Sequence, residues 1–389
     1  MPAVAVFRRE YAPPTETFVV SQVRALSRYA PLVLCRSELS GSRAASGPSV
    51  IDVRAFDEAG VESGVDRLVY RHLRRSGTGE SRWYAKAIMD AGAGVVHAHF
   101  GTDGGYILPA ARAADVPLVV SWYGYDVSQF PRAFGGLGRA WLRSVLREAR
   151  FHLAMTPQMA RDLLELGAPP SSVRVHHFGI DSAFWGAAAE RDTASSPLTI
   201  LQVGSFVEKK GQSDLIRAFA EVAVSDPECM LRLVGSGPLE ATLRSLVREL
   251  GLESRVCFVG FVPHGDGLRA EYRAASIYAH PSRTAGDGDK EGLPTTILEA
   301  MASGLPVVST FHAGIPDAVG PEAGRLVGER DVHRLARALV SLSGDPELRD
   351  RMGQAGRARV FADFDLHQQT RRLESLYDEA RGATREGSL

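Results

Sequence analysis

A chain of 389 residues, 44% hydrophobic, is long enough to bury more than one core. Its net charge of −1 and pI near 6.8 exclude a basic nucleic-acid binder, and the sequence carries no motif of that class. Three scattered cysteines, Cys35, Cys229 and Cys257, read as reduced core thiols, and no run of 18 apolar residues suggests a membrane span, so a cytoplasmic protein is expected.

The first half alternates short apolar runs with amphipathic segments: Val4–Phe7, Phe18–Tyr29, Leu32–Cys35, Gly94–Phe100, Val116–Ser121 and Phe151–Met155. This alternation predicts a parallel sheet with crossover helices. The small, polar stretch 187–197, closed by Pro197, predicts a linker, which makes 1–186 one domain. The pattern then restarts. Strands are predicted at Leu198–Val203, Met230–Val234, Val256–Val259, Ile277–His280 and Val307–Ser309, and helices at Gln212–Ala223, Leu239–Leu250, Pro294–Ser303, Val332–Leu342 and Pro346–Ala362. A second doubly wound domain over 198–365 results. The segment 366–389 begins with an amphipathic helix, Leu366–Ala380, that can pack on either domain. Ligands of open α/β sheets sit beyond the carboxyl ends of the strands, in the crevice that two such domains make by facing each other. The loops after strands are therefore where chemistry is expected.

The loop after Ile277–His280 is the most informative. It contains glycines at 286, 288 and 292 and ends in Glu291-Gly-Leu-Pro-Thr-Thr-Ile-Leu-Glu299. Pro294 suits the first position of a helix, leaving the amides of Thr295 and Thr296 free to take a phosphate. Glu291 lies before the helix and Glu299 more than a turn inside it, two carboxylates able to accept hydrogen bonds from vicinal hydroxyls. A nucleoside diphosphate sugar fits the order sugar, phosphates, ribose. Solvated surface glutamates are the plainer alternative.

With Gly292-Leu293-Pro294 after the first glutamate and Glu299-Ala-Met-Ala302 at the second, this segment resembles the hallmark of the retaining glycosyltransferases of family 4, of the two-domain GT-B fold. The resemblance runs on through Gly304-Leu-Pro-Val-Val-Ser309 and His312-Ala-Gly-Ile-Pro-Asp317. It implies that Glu291 contacts donor-sugar hydroxyls and Glu299 the ribose. It further implies that Lys210, the lysine before Gly211, neutralises the leaving diphosphate; Ser205 stands where the family carries an arginine, with Lys209 as a weaker substitute. Gly204, Gly235 and Gly237 lie in loops beside the donor, and Phe261 and Val262 match the loop that holds the nucleobase through its backbone. For the Gly235–Gly237 pair a plain turn is as good a reading.

In the first domain, Tyr123 occupies the place of the family's donor-facing histidine, and Asp126 is a cleft carboxylate or a helix cap. His97 and His99 read as satisfied strand-end residues, with His99 a weak acceptor-site candidate. The segment Thr15-Glu-Thr-Phe18 resembles the Ser-Glu-Thr-Phe loop of exopolysaccharide and colanic-acid transferases, which puts acceptor recognition on Glu16 and Thr17; an N-cap at Thr15 or Thr17 is the structural alternative. Asp287-Gly-Asp289 has the form of a metal–diphosphate motif, but Lys210 and the helix end already supply positive field, so no metal and no cofactor beyond the sugar-nucleotide co-substrate are expected.

The expected activity is retaining transfer of a hexose-type sugar, catalysed with the help of Glu291, Lys210, Tyr123 and Asp126. A UDP-sugar is the first donor expected and a GDP-sugar the next, with a saccharide, lipid-linked saccharide or natural product as acceptor. The basic helix Trp141–Arg150 allows peripheral membrane contact, and a non-catalytic membrane- or partner-binding protein on the same scaffold is the rival. A Rossmann oxidoreductase is disfavoured because no strand precedes a complete G-x-G-x-x-G.

Overall fold

A computed structural model describes residues 1–11, 16–38, 52–60, 62–73, 75–187 and 197–386. The chain divides into two units, Met1–Gly179 with Leu366–Leu389, and Ile180–Asp365.

In the first unit the continuous apolar runs become the central strands of a parallel sheet, buried on both faces, and two partly exposed strands close its edges. They are β1 (Ala3–Phe7), β2 (Ala30–Cys35), β3 (Asp52–Ala55), β4 (Ala93–His99), β5 (Leu118–Trp122), β6 (Phe151–Ala154) and β7 (Val173–Val175), in the order β3-β2-β1-β4-β5-β6-β7. The order reverses between β1 and β4, where Val6 is in register with His97. Val4, Val6, Val33, Val95 and Val119 pack beneath the helix Thr17–Ala25 and the final helix Leu366–Glu386, which contributes Leu373, Tyr377 and Ala380 to the same core.

The second unit repeats the plan with β8 (Thr199–Val203), β9 (Met230–Val234), β10 (Val256–Gly260), β11 (Ile277–His280), β12 (Val307–Thr310) and β13 (Gly324–Val327), all parallel, in the order β10-β9-β8-β11-β12-β13. Here the reversal falls between β8 and β11, paired at Ile200 with Ile277 and Leu201 with Tyr278. The loops after these two strands therefore emerge side by side at the carboxyl edge.

The unit boundary falls earlier than residue 186. Ile180 donates its amide to Phe364 O at 2.9 Å, Ser182 Oγ donates to Asp365 at 2.7 Å, and buried Trp185 packs edge-on against His264 and Tyr272. These contacts attach residues 180–186 to the second unit. Of the expected linker 187–197, residues 188–196 lie outside the described residues, as does Thr15.

Candidate active site

The strand-order reversal in the second unit gathers the loop after β8 and the loop after β11. The first leaves β8 at Gly204 and Ser205 and ends in a single turn, Glu208–Lys210, before the helix Gln212–Ser225. Lys210 Nζ lies 2.7 Å from Glu291 Oε1, with side chains only 16% and 8% exposed. Lys209 Nζ lies 2.8 Å from Asp289 Oδ2. Burial works to raise the Glu291 carboxyl, but Lys210 and Lys209 outweigh it and hold the pKa down at about 2, so Glu291 is an ionised acceptor throughout the physiological range. Burial opposes the charge on Lys209 as well, and Glu291 and Asp289 overcome it, raising its pKa. The Lys209–Asp289 pair gives Asp289 a structural use as an ion-pair partner and commits Lys209 to it.

Between the two glutamates, Gly292 accepts from the amide of Gly314 at 3.1 Å and Leu293 is buried. Pro294 is extended (φ −64°, ψ 119°) and stands just before the helix Thr295–Ala302 rather than at its first position. No side chain caps this helix, so the first-turn amides of Thr295 and Thr296 have no capping partner. Glu299 is buried at 3% exposure; Tyr272 donates to its Oε2 at 2.8 Å, and His264 Nε2 lies 3.9 Å from Oε1. Burial raises this carboxyl to about 7 and lowers the His264 imidazole. The two glutamates are thus held in opposite protonation regimes.

Gly235 and Gly237 serve the packing of loops. A Cβ on Gly235 (φ 139°) would stand 2.1 Å from Gly204 O, and one on Gly237 would stand 2.7 Å from Phe206 N and O. The loop after β9 lies directly on the loop after β8, with Phe206 donating its amide to Ser236 O at 2.9 Å and Gly235 donating to Gly260 O at 2.8 Å. Phe261 is 57% exposed and Val262 partly buried at the end of β10.

Three groups around this site are given no role from the sequence, although His312 opens a stretch that carries the family resemblance. Arg283 Nη1 donates to both oxygens of Asp214 (3.0 and 3.1 Å), while Glu208 accepts from the Gly286 amide at 2.9 Å, so the loop after β11 is tied to the loop after β8. His280, fully buried with its pKa lowered to about 3 by burial, has Nδ1 3.0 Å from Tyr278 Oη. His312 receives the Glu291 amide at 3.0 Å.

In the first unit the corresponding reversal gathers Arg8, Arg9 and the Phe100 turn. Arg8 makes a two-pronged pair with Glu16 (2.8 Å twice) and also donates to Asp103 at 2.7 Å, and Arg9 Nε donates to Asp103 at 2.5 Å. Glu16 is therefore the partner of Arg8. It also precedes the helix Thr17–Ala25 without a side-chain cap, so Thr17 lies inside the first turn and is not the N-cap. Phe100 (φ 76°) occupies a backbone region costly for a bulky residue, with Arg8 over its ring at 4.5 Å.

His99 Nδ1 lies 2.6 Å from Tyr123 Oη, and burial, with Arg8 nearby, lowers its pKa to about 3. Asp126 makes the contacts of the helix cap that the sequence offers as its alternative. Its Oδ2 accepts from Gly101 N at 2.7 Å and its Oδ1 from Tyr123 N and Gly124 N at 3.0 and 3.1 Å, so the buried carboxylate ties the start of the helix Gly101–Ala113 to the Tyr123 loop. Burial raises it to about 6. The basic helix, Leu137–Glu148, buries Leu142, Val145 and Leu146, as an ordinary crossover helix does. Among the described residues no helix is long and apolar enough to cross a membrane.

Two doubly wound domains, the second with an acid–lysine pair and an uncapped helix end at its strand-order reversal, define the GT-B class of sugar-nucleotide-dependent glycosyltransferases. The family description "Glycosyl transferases group 1" matches residues 188–359 and "Glycosyl transferase 4-like domain" matches 15–179. The chain belongs to glycosyltransferase family 4. It is 30% identical over 327 residues to the amylovoran biosynthesis glycosyltransferase AmsK of Erwinia amylovora, covering 79% of this chain and 76% of that protein. It is also 30% identical over 384 residues to the GDP-mannose-dependent alpha-(1-6)-phosphatidylinositol monomannoside mannosyltransferase of Mycolicibacterium smegmatis, covering 95% and 94%. Sucrose-phosphate synthase of Thermosynechococcus elongatus (TM-score 0.79, 21% identity, 98% and 100% covered) and Anabaena HepE with UDP-glucose (TM-score 0.76, 17%, 97% and 100%) share the fold.

Proposed function

We propose that the protein transfers a hexose-type sugar, with retention, from a nucleoside diphosphate sugar to a hydroxyl of a saccharide, lipid-linked saccharide or natural-product acceptor. The observation that carries this reading is the buried Lys210–Glu291 pair at the strand-order reversal, one loop away from the uncapped amides of Thr295 and Thr296. The ionised Glu291 accepts hydrogen bonds from donor-sugar hydroxyls, Glu299 from the ribose, and Lys210 with the helix end stabilises the diphosphate as it leaves. In this scheme the bond from the anomeric carbon to the diphosphate oxygen breaks. The acceptor oxygen bonds to the same face of that carbon, and its proton passes to the departing diphosphate oxygen. UDP-sugars come first in the donor panel, and the near-full-length similarity to a GDP-mannose-dependent enzyme puts GDP-mannose beside them.

Glu291→Gln is expected to lower turnover by about 10²–10³-fold while leaving nucleotide affinity within a few-fold, as loss of a transition-state contact does. Wild-type turnover in that variant would falsify the assignment. The reaction is further proposed to need no metal, which Lys210, the helix end and the Asp289–Lys209 pair support. Turnover should survive exhaustive chelation; abolition by a chelator with rescue by manganese would reverse this point.

A further inference from the structure

Glu291 is held at its backbone as well as at its carboxylate. Its amide donates to His312 Nε2 at 3.0 Å, and His312 Nδ1 lies 2.7 Å from Glu329 Oε1. An amide N–H only donates, so Nε2 is the lone-pair nitrogen and the ring proton sits on Nδ1, directed at Glu329. The imidazole is 1% exposed. Glu329, in the turn after β13, also accepts from Thr284 N at 2.8 Å and Thr284 Oγ1 at 3.3 Å. Burial acts to raise its pKa, but the Thr284 and His312 contacts prevail and lower it.

One carboxylate thus fixes both ends of the stretch between β11 and the helix Thr295–Ala302: Thr284 directly, and Glu291 through His312. The turns that bring these groups together are strained, since Ala313 (φ 47°) and Arg330 (φ 61°) are non-glycine residues in the left-handed region. Such conformations persist where surrounding contacts over-determine them.

We propose that His312 is a positioning residue for Glu291, oriented in one tautomer by Glu329. The inference rests on Glu291 as the donor-sugar contact proposed above. Gly292 follows Glu291 immediately, so without the amide–imidazole bond the chain has freedom to turn the carboxylate away from Lys210 and from the sugar. A misplacement of about 1 Å is enough to cost on the order of 10²-fold in rate.

The test compares His312→Asn, His312→Gln, Glu329→Gln and Glu291→Gln. A glutamine places its carbonyl oxygen near the position of Nε2 and keeps an acceptor for the Glu291 amide; an asparagine reaches only the position of Nδ1. His312→Asn is expected to lower kcat by about 10–100-fold, with donor KM, nucleotide affinity and folding midpoint little changed. His312→Gln should recover most of that loss, and Glu329→Gln should fall between them. Equal loss in the Asn and Gln variants accompanied by a lowered folding midpoint would reduce His312 to a packing residue. Wild-type turnover in His312→Asn alongside a crippled Glu291→Gln overturns the positioning role alone, whereas wild-type turnover in Glu291→Gln overturns the donor assignment and this inference with it.

Discussion

Glu299 and Glu291 are the same residue type eight positions apart, and their environments drive them in opposite directions. Glu291 meets Lys210 at 2.7 Å and stays ionised; Glu299 meets a tyrosine hydroxyl and a neutral-leaning imidazole, and burial lifts it to about 7 from an ordinary 4.5. Because the folded state holds a proton on Glu299 that the unfolded chain gives up above about pH 4.5, this group's contribution to stability is full below that pH and is lost as pH rises through 7. Glu299→Gln should therefore stabilise the free protein at pH 8 by on the order of 3 kcal/mol, with the gain fading to nothing below pH 4.5, as followed by denaturant unfolding. The same substitution should weaken nucleotide binding at pH 8, and wild-type affinity should decline as pH falls below 7 while the variant's stays flat. Equal pH profiles in the two proteins would remove Glu299 from the ribose contact.

At the scale of elements, the sequence reveals what is continuous and apolar and hides what is short or assembled from afar. The buried runs at β1, β4, β8 and β11 are evident from their side chains alone. The edge strands β3 (Asp-Val-Arg-Ala), β7 (Val-Arg-Val) and β13 (Gly-Arg-Leu-Val) escape because each carries an arginine and has only one neighbour in its sheet. The helix Asp266–Ala274 buries only Leu268 and Tyr272, too sparse an apolar stripe to stand out in the sequence. The meeting of Lys210 with Glu291 is anticipated only through the family resemblance, which assigns both to the same donor. Glu329, His312 and Tyr272 reach the same region from three further elements, and only the sheet order brings them there. The glycines after β9 illustrate the difference: their sequence permits a ligand, and their contacts assign them to loop-on-loop packing. Gly235→Ala forces a Cβ to within 2.1 Å of the Gly204 carbonyl, which cannot yield without moving the loop that carries Lys210. The expected cost is about 2–4 kcal/mol together with weakened donor binding, measured by thermal unfolding with and without nucleotide. An unchanged midpoint would mean that the two loops separate freely.

At the scale of the molecule, the chain crosses from the first unit to the second and then returns, so the stability of the first unit depends on residues more than 300 positions away. Glu374, fully buried on the returning helix Leu366–Glu386, accepts from the amides of Ser27 (2.7 Å) and Arg28 (2.6 Å) just beyond the end of the helix Thr17–Ala25. On the same helix Tyr377 Oη lies 2.7 Å from His97 Nδ1, whose other nitrogen lies 2.9 Å from Ser121 Oγ at the end of β5. Glu374→Ala takes a buried acceptor from the amides of Ser27 and Arg28, two exposed residues that water can reach, and should cost about 1–2 kcal/mol. That loss belongs to one unit. Hydrogen exchange should accelerate in β1, β2 and β4 while the amides of β8, β11 and the helix Thr295–Ala302 keep their protection, and sugar nucleotide should add protection to the second set without restoring the first. Trp83, Trp122 and Trp141 report on the first unit and Trp185 on the second, so a variant retaining only Trp185 should show an unshifted fluorescence transition when Glu374→Ala is added. Parallel loss of protection in both units would instead mean that the returning helix stabilises the chain as one cooperative block.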